Sequence, residues 1–205
     1  MRYLADKKYA VIPLEELVHR HEAGEPLGGS VVITFDDGYR DNFVVAFPIL
    51  KNYNFPATIF VTTDLMGKSD KRGLDRMSIE DLQQIERSGL VSIEPHTKSH
   101  PRLSQLSTEA LHEEVVGSKH FLEVALNKRC RFFAPPYGAY NAETLELLRA
   151  SGIQASFTVK EGTVSEGSAL LELPRVSVDR STTWTQFRGK LSTAVDRYQA
   201  IKLWQ

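Results

Sequence analysis

Short apolar, β-branched runs alternate with stretches of helical periodicity along the whole chain. Tyr9–Ile12 predicts a brief strand, and Leu14–Ala23 a helix with Leu14, Leu17 and Val18 on one face. Val31–Phe35 predicts the next strand, and Asp41–Asn54 has helical spacing that Pro48 kinks or interrupts. Ala57–Thr62 is a β-branched strand, whereas Thr63–Met77 is polar, carries Gly67 and Gly73, and reads as a loop. Ser78-Ile79-Glu80-Asp81 resembles a capping box opening a helix that stops at Gly89. Leu90–Ile93 predicts a strand, Thr108–Leu126 a long amphipathic helix, and Arg131–Phe133 a further strand. Asn141 caps a predicted helix ending at Gly152, and strands follow at Gln154–Val159 and Leu171–Val178. Thr183 caps a last helix, in which Trp184, Phe187, Leu191, Val195 and Tyr198 form a stripe read as core packing.

This strand–helix alternation predicts an α/β fold with parallel strands, in a single domain over residues 1–205. The polar residues with chemical potential all follow strands: Asp36 and Asp37, His96 and His100, Tyr137, and Arg175. In a β/α barrel such positions converge at the C-terminal mouth, where ligands bind. An open doubly wound sheet has the wrong landmarks, because no Gly-x-Gly-x-x-Gly turn or phosphate-binding loop follows the first strands.

Composition narrows the function classes. With 41% hydrophobic residues the chain can bury a real core, and Lys+Arg 25 against Asp+Glu 26 leaves no basic excess for a nucleic-acid partner. No stretch reaches the roughly 20 apolar residues of a membrane-spanning helix. Cys130 is the sole cysteine, so no intrachain disulfide forms. The N-terminus has no apolar signal-peptide core, so the chain as written does not read as an export precursor.

Thr34-Phe35-Asp36-Asp37-Gly38-Tyr39 carries the most chemistry. Adjacent carboxylates at the end of an apolar strand repel and are costly to dehydrate unless a cation or a shared proton accompanies them. A solvated turn is the bland alternative, and the flanking strand and aromatic bring the two readings level. His96-Thr97-Lys98-Ser99-His100-Pro101 places two imidazoles four residues apart, on one face of a helical turn. One carboxylate and two histidines suit zinc, cobalt or nickel, and three protein ligands leave positions open for catalysis. His19, His21, His112 and His120 have charged helical neighbours and read as exposed. Phe132-Phe133-Ala134-Pro135-Pro136-Tyr137-Gly138 reads as a rigid turn that can fix a backbone N–H as an oxyanion donor.

Together these segments resemble the polysaccharide deacetylase family, the carbohydrate esterase family 4 group with the NodB homology domain. Thr34–Tyr39 matches its T-F-D-D-G-Y motif, His96–Pro101 its H-T-x-x-H-P, and Phe133–Gly138 its proline-rich third motif. Phe47–Leu50 and Pro56–Val61 are similar too, and the likeness leans toward the poly-N-acetylglucosamine deacetylase branch.

The resemblance implies a deformed β/α barrel and metal-dependent removal of N-acetyl groups from an N-acetylhexosamine polysaccharide or oligosaccharide, in the bacterial envelope or outside the cell. By motif, Asp37, His96 and His100 would bind the metal, usually Zn2+, with Co2+ or Ni2+ as alternatives. Asp36 would be the general base, the Tyr137 N–H would hold the oxyanion, and Arg175 would orient Asp36.

Two departures qualify this expectation. Ala134 stands where many relatives carry an arginine paired with the base, hence the assignment of that role to Arg175. No histidine follows His120 to serve as the late Leu-x-His acid, and the first strand, with the Tyr-His segment of the nearest branch, would lie before Met1. A weakly active or silent glycan-binding relative, or a hydrolase of small non-sugar amides, are therefore the alternatives.

Overall fold

The computed structural model describes residues 1–192, so Val195 and Tyr198 of the expected terminal stripe lie outside it. A short helix, α1 (Arg2–Asp6), leads through β1 (Ala10–Val11) into α2 (Leu14–Ala23). The bounds of α2 are the expected ones, because Leu14, Leu17 and Val18 bury one face and Gly24, in the left-handed region, ends it.

The apolar run expected as one strand divides into β2 (Ser30–Val31) and β3 (Thr34–Phe35). β2 pairs with β1, and β3 with β4 (Ala57–Val61), so the chain changes partners at Val32 and Ile33. Those two side chains accordingly pack into different core clusters.

Between β3 and β4 a π-helical turn (Asn42–Ala46) precedes α3 (Phe47–Tyr53). Pro48 directly follows this π-helical turn in a backbone that stays helical into α3, so the interruption expected at Pro48 takes the form of the π-helical turn before it. The Ser78–Asp81 capping box opens α4 (Ile79–Glu86), followed by β5 (Val91–Pro95).

The long helix expected over 108–126 has three parts: α5 (Thr108–His112), a π-helical turn (Glu113–Gly117) and α6 (Ser118–Leu126). β6 (Phe132–Phe133), α7 (Ala142–Ala150), β7 (Ala155–Glu161), β8 (Leu173–Arg175) and α8 (Trp184–Lys190) complete the described order. β8 is shorter than expected because 170–172 form a 3-10 turn. Trp184 is exposed rather than core: it stacks on Phe187 and meets Tyr3 edge-on, pinning α8 to α1 at the surface.

Every strand pair is parallel and follows chain order, in ribbons β1–β2, β3–β4–β5 and β6–β7–β8. This is the parallel, barrel-type α/β arrangement expected from the sequence. Covered on both faces, all five residues of β4 are buried. One cluster lies around Leu50, Ile59, Leu82, Ile85, Ile93 and Leu122, a second around Leu14, Val18, Phe60 and Phe157, a third around Leu103, Leu111, Val115, Phe133 and Leu148. Truncating a fully buried leucine such as Leu50 to alanine costs ~2–5 kcal/mol. Cys130 is buried in the first cluster, and burial pushes its thiol far above the usual range, so it is not a nucleophile.

Polar ends of the strands are treated in opposite ways. At the N-terminal side, buried Glu94 accepts the main-chain N–H of Arg131 at 2.9 Å and of Phe132 at 3.0 Å, with Lys128 Nζ 3.2 Å away. Lys128 Nζ also donates to Ser92 Oγ, the Ile93 carbonyl and Glu86. Burial works against the Lys128 charge, but Glu94 and Glu86 outweigh it and hold the ammonium above the usual lysine range. At the opposite ends, the residues after β3, β5, β6 and β8 face one another.

Candidate metal centre and active site

In-register pairing sets the positions of the polar residues. Phe35 lies opposite Ile59 and Val61 opposite Pro95, so Asp36–Asp37 and His96 leave β3 and β5, the two neighbours of β4, at the same end. His96 N–H donates to the Val61 carbonyl at 2.9 Å, which extends the ladder one residue beyond Pro95.

Backbone strain gathers here. Seven described non-glycine residues have positive φ, and four belong to the three motifs: Asp37 (74°), Thr97 (67°), His100 (71°) and Tyr137 (60°). Each such residue costs about 1–3 kcal/mol, and a β-branched one like Thr97 is a genuine outlier. Gly38 also lies at φ +68°, and a Cβ there would sit 3.2 Å from both methyls of Val61. Gly138, at φ +60°, is tighter still, with a Cβ falling 2.6 Å from Val159 Cγ2.

The strain brings three donor atoms together. One ligand atom each from Asp37, His96 and His100 lies within 4.8 Å of the others. Asp37 Oδ1 is 3.1 Å from His100 Nε2 and 3.8 Å from His96 Nε2. No donor is aligned on that oxygen for a hydrogen bond, although it is fully buried. A buried carboxylate oxygen facing two ring nitrogens without a hydrogen bond is a donor set that could hold a divalent cation.

Groups behind the ligands fix their orientation. His96 Nδ1 lies 2.5 Å from the Ala134 carbonyl, so the ring donates there and Nε2 keeps its lone pair toward Asp37. His100 Nδ1 is 3.2 Å from Tyr137 Oη, and the two rings meet edge-on at 4.8 Å. Burial lowers the His96 pKa and favours the neutral, ligating imidazole. For Asp37, burial alone would raise the pKa, but His100, His96 and Arg76 outweigh it and bring the carboxyl down to about 2.

Asp36 stands apart from this group. Arg175 Nη1 and Nη2 grip its two oxygens, each at 2.7 Å, in a bidentate pair. The guanidinium is held in turn by the Thr158 carbonyl at 3.0 Å and Thr34 Oγ1 at 3.2 Å. Arg175 thus reaches from β8 to the end of β3, on the far side of the chain order, and leaves Ala134 free to present its carbonyl to His96.

All six residues singled out in the sequence lie around this mouth. Arg76 was not among them: it stacks on Tyr39 with 3.8 Å to the ring centroid and donates to the Asp37 carbonyl. Its signal was absent because the 63–77 loop docks on the first motif only in three dimensions, through the Tyr39–Arg76 bridge. His19, His112 and His120 are exposed as expected, whereas His21 is half-buried with Nε2 sequestered and unpartnered.

Comparison with known proteins completes the description. The family profile described as polysaccharide deacetylase matches residues 23–156, most of the chain and both ligand-bearing motifs. The chain belongs to the polysaccharide deacetylase family. Within that family, a Bacillus subtilis relative, YxkH, is 30% identical over 188 residues, covering 91% of this chain and 65% of the relative. A Staphylococcus epidermidis poly-β-1,6-N-acetyl-D-glucosamine N-deacetylase is 30% identical over 175 residues, covering 82% of this chain and 61% of the relative. The chain therefore spans somewhat less than two thirds of these curated relatives. Among solved structures, the Streptococcus pyogenes deacetylase PplD, in complex with acetate, superposes with a TM-score of 0.84 at 28% identity, over 93% of this chain and 83% of that one.

Proposed function

We propose that this polysaccharide deacetylase family member hydrolyses N-acetyl groups of an N-acetylhexosamine polymer at a metal centre formed by Asp37, His96 and His100. The observation that carries the reading is the buried, hydrogen-bond-free Asp37 Oδ1 facing both imidazoles, beside a separate carboxylate clamped by arginine. Zinc suits this mixed nitrogen and oxygen set, and cobalt or nickel would also be accepted.

A divalent ion bound there supplies Lewis-acid polarisation of the acetyl carbonyl and lowers the pKa of water at the site. Asp36 is the base that takes a proton from the attacking water. Arg175 confines the Asp36 carboxylate to one orientation, since a bidentate guanidinium fixes both oxygens. The 60° φ of Tyr137 aims its N–H as an oxyanion donor. Water adds at the acetyl carbon, the C–N bond breaks as the departing nitrogen takes a proton from solvent, and acetate and a free amine result. The names of the staphylococcal relatives favour β-1,6-linked N-acetylglucosamine as substrate, and an envelope or extracellular setting follows from such a polymer.

Acetate release from β-1,6-linked N-acetylglucosamine oligomers and from chitooligosaccharides by the zinc-loaded protein tests this reading. Wild type should release acetate and His96→Ala should not. Equal release by both proteins would end the proposal.

A further inference from the structure

The turn that delivers His100 is held by a carboxylate that does not face the ion site. Glu114 Oε2 accepts the main-chain N–H groups of Lys98 and Ser99, each at 2.8 Å, and Ser99 Oγ donates to Oε1 at 2.5 Å. Lys98 and Ser99 are the residues between Thr97 and His100, both left-handed. Strained positions on both sides of a two-residue span persist only where surrounding contacts hold them. Within the turn, Thr97 Oγ1 accepts the His100 N–H at 3.0 Å. On one side the Thr97 and Lys98 carbonyls accept the N–H groups of Thr63 at 3.2 Å and Asp64 at 2.8 Å. Glu114 is the side chain that takes the turn's own outward N–H groups.

Glu114 reaches the turn from an unusual backbone. It lies in the π-helical turn Glu113–Gly117, which joins α5 to α6 and shifts the helix face by one residue. Fully buried Ser118 secures that widened turn, its hydroxyl donating to the carbonyls of Glu114 at 2.7 Å and Val115 at 3.0 Å. Neighbouring Glu113 touches the same loop differently, through an exposed ion pair with Lys98 Nζ. Such pairs are worth little.

We propose that Glu114 is a positioning residue of the metal centre, holding the 97–100 turn in the one conformation that lets His100 share an ion with His96 and Asp37. The π-helical turn is then the device that points Glu114 at the loop, with Ser118 as its fastener. This inference rests on the metal-site reading above.

Zinc affinity of the metal-free protein, measured by chelator competition, tests it, together with the visible spectrum of the cobalt-loaded protein. Glu114→Ala should weaken zinc binding about 10- to 100-fold and alter the cobalt bands. Glu114→Gln keeps an oxygen for both amides, and should stay within about threefold of wild type, as should the Glu113→Ala control. Ser118→Ala should weaken binding in the same direction, and less than additively in combination with Glu114→Ala.

Affinity within twofold of wild type for Glu114→Ala, or an equal loss in Glu114→Gln, overturns the proposal. Should Glu114→Ala not fold, an unchanged affinity in Ser118→Ala overturns it instead. Wild-type protein that takes up no zinc removes the metal-site reading, and this inference with it, before any variant is compared.

Discussion

Two carboxylates, that of Glu94 facing the start of β6 and that of Asp37 at the mouth, are held by different means. Glu94, on the N-terminal side, is surrounded by donors: two main-chain amides, Lys128 and Ser92. Asp37, at the mouth, keeps one buried oxygen with no aligned donor, and its backbone is in the left-handed region. Both carboxylates lose water, and the protein compensates them differently: hydrogen-bond donors close around Glu94, whereas the charges of His100, His96 and Arg76 hold Asp37 ionised. Donors closed around Glu94 and an oxygen left open on Asp37 separate stability from chemistry. The mouth should therefore be costly to alter for function, and the floor costly to alter for folding.

The sharpest way to break this comparison is Asp36→Asn. Removing a general base typically costs about 100- to 10,000-fold in rate, so acetate release should fall by that order. The asparagine retains an acceptor for Arg175, which still holds Thr34 and the Thr158 carbonyl, so the midpoint of urea unfolding should move little. A large loss of stability with proportionate loss of rate would show that Asp36 is a structural partner of Arg175 and not a base.

Glu94→Ala is the converse experiment. It strands the Lys128 ammonium and leaves the Arg131 and Phe132 amides without an acceptor, and breaking a buried ion pair from one side costs about 3–5 kcal/mol. Unfolding midpoints should drop accordingly, while acetate release per folded molecule at low temperature stays within about twofold, since the Glu94 carboxylate faces the start of β6 and touches no member of the Asp37 group. Loss of turnover in folded protein would mean that floor and mouth are coupled.

Much of this division was legible before the structure was known, and the reasons differ by element. Local signals held: Ser78, Asn141 and Thr183 cap the helices they were expected to open, because a cap depends only on a side chain and the amides just after it. That Asp37, His96 and His100 come together was legible because the motifs carrying them resemble those of a known family. What sits behind them was not. The Ala134 carbonyl has no sequence signal at all, and Glu114 looks like one more surface acid on an amphipathic helix. Both π-helical turns were invisible, because one inserted residue leaves the apolar stripe almost intact. The split of β2 from β3 was hidden for the same reason: Val32 and Ile33 are equally apolar but serve different clusters.

The smallest expected effect sharpens the comparison most quietly. Asp37 titrates at about 2 in the folded, metal-free protein against a usual 3.8. A depressed carboxylate contributes stability that is complete above the unfolded value and is lost as pH falls through the folded one. The window is therefore about pH 4 down to pH 2, and the shift corresponds to about 2 kcal/mol. Metal-free wild type and Asp37→Asn should thus differ in the slope of unfolding free energy against pH within that window, wild type falling more steeply. Between it and the range where the neighbouring histidines titrate, the curves should run parallel, because Asp37 stays charged in folded and unfolded chains alike. Equal slopes below pH 4 would mean that His96, His100 and Arg76 do not stabilise the Asp37 charge in the absence of metal. The open oxygen at the mouth would then be an uncompensated cost of folding, relieved only when the ion binds.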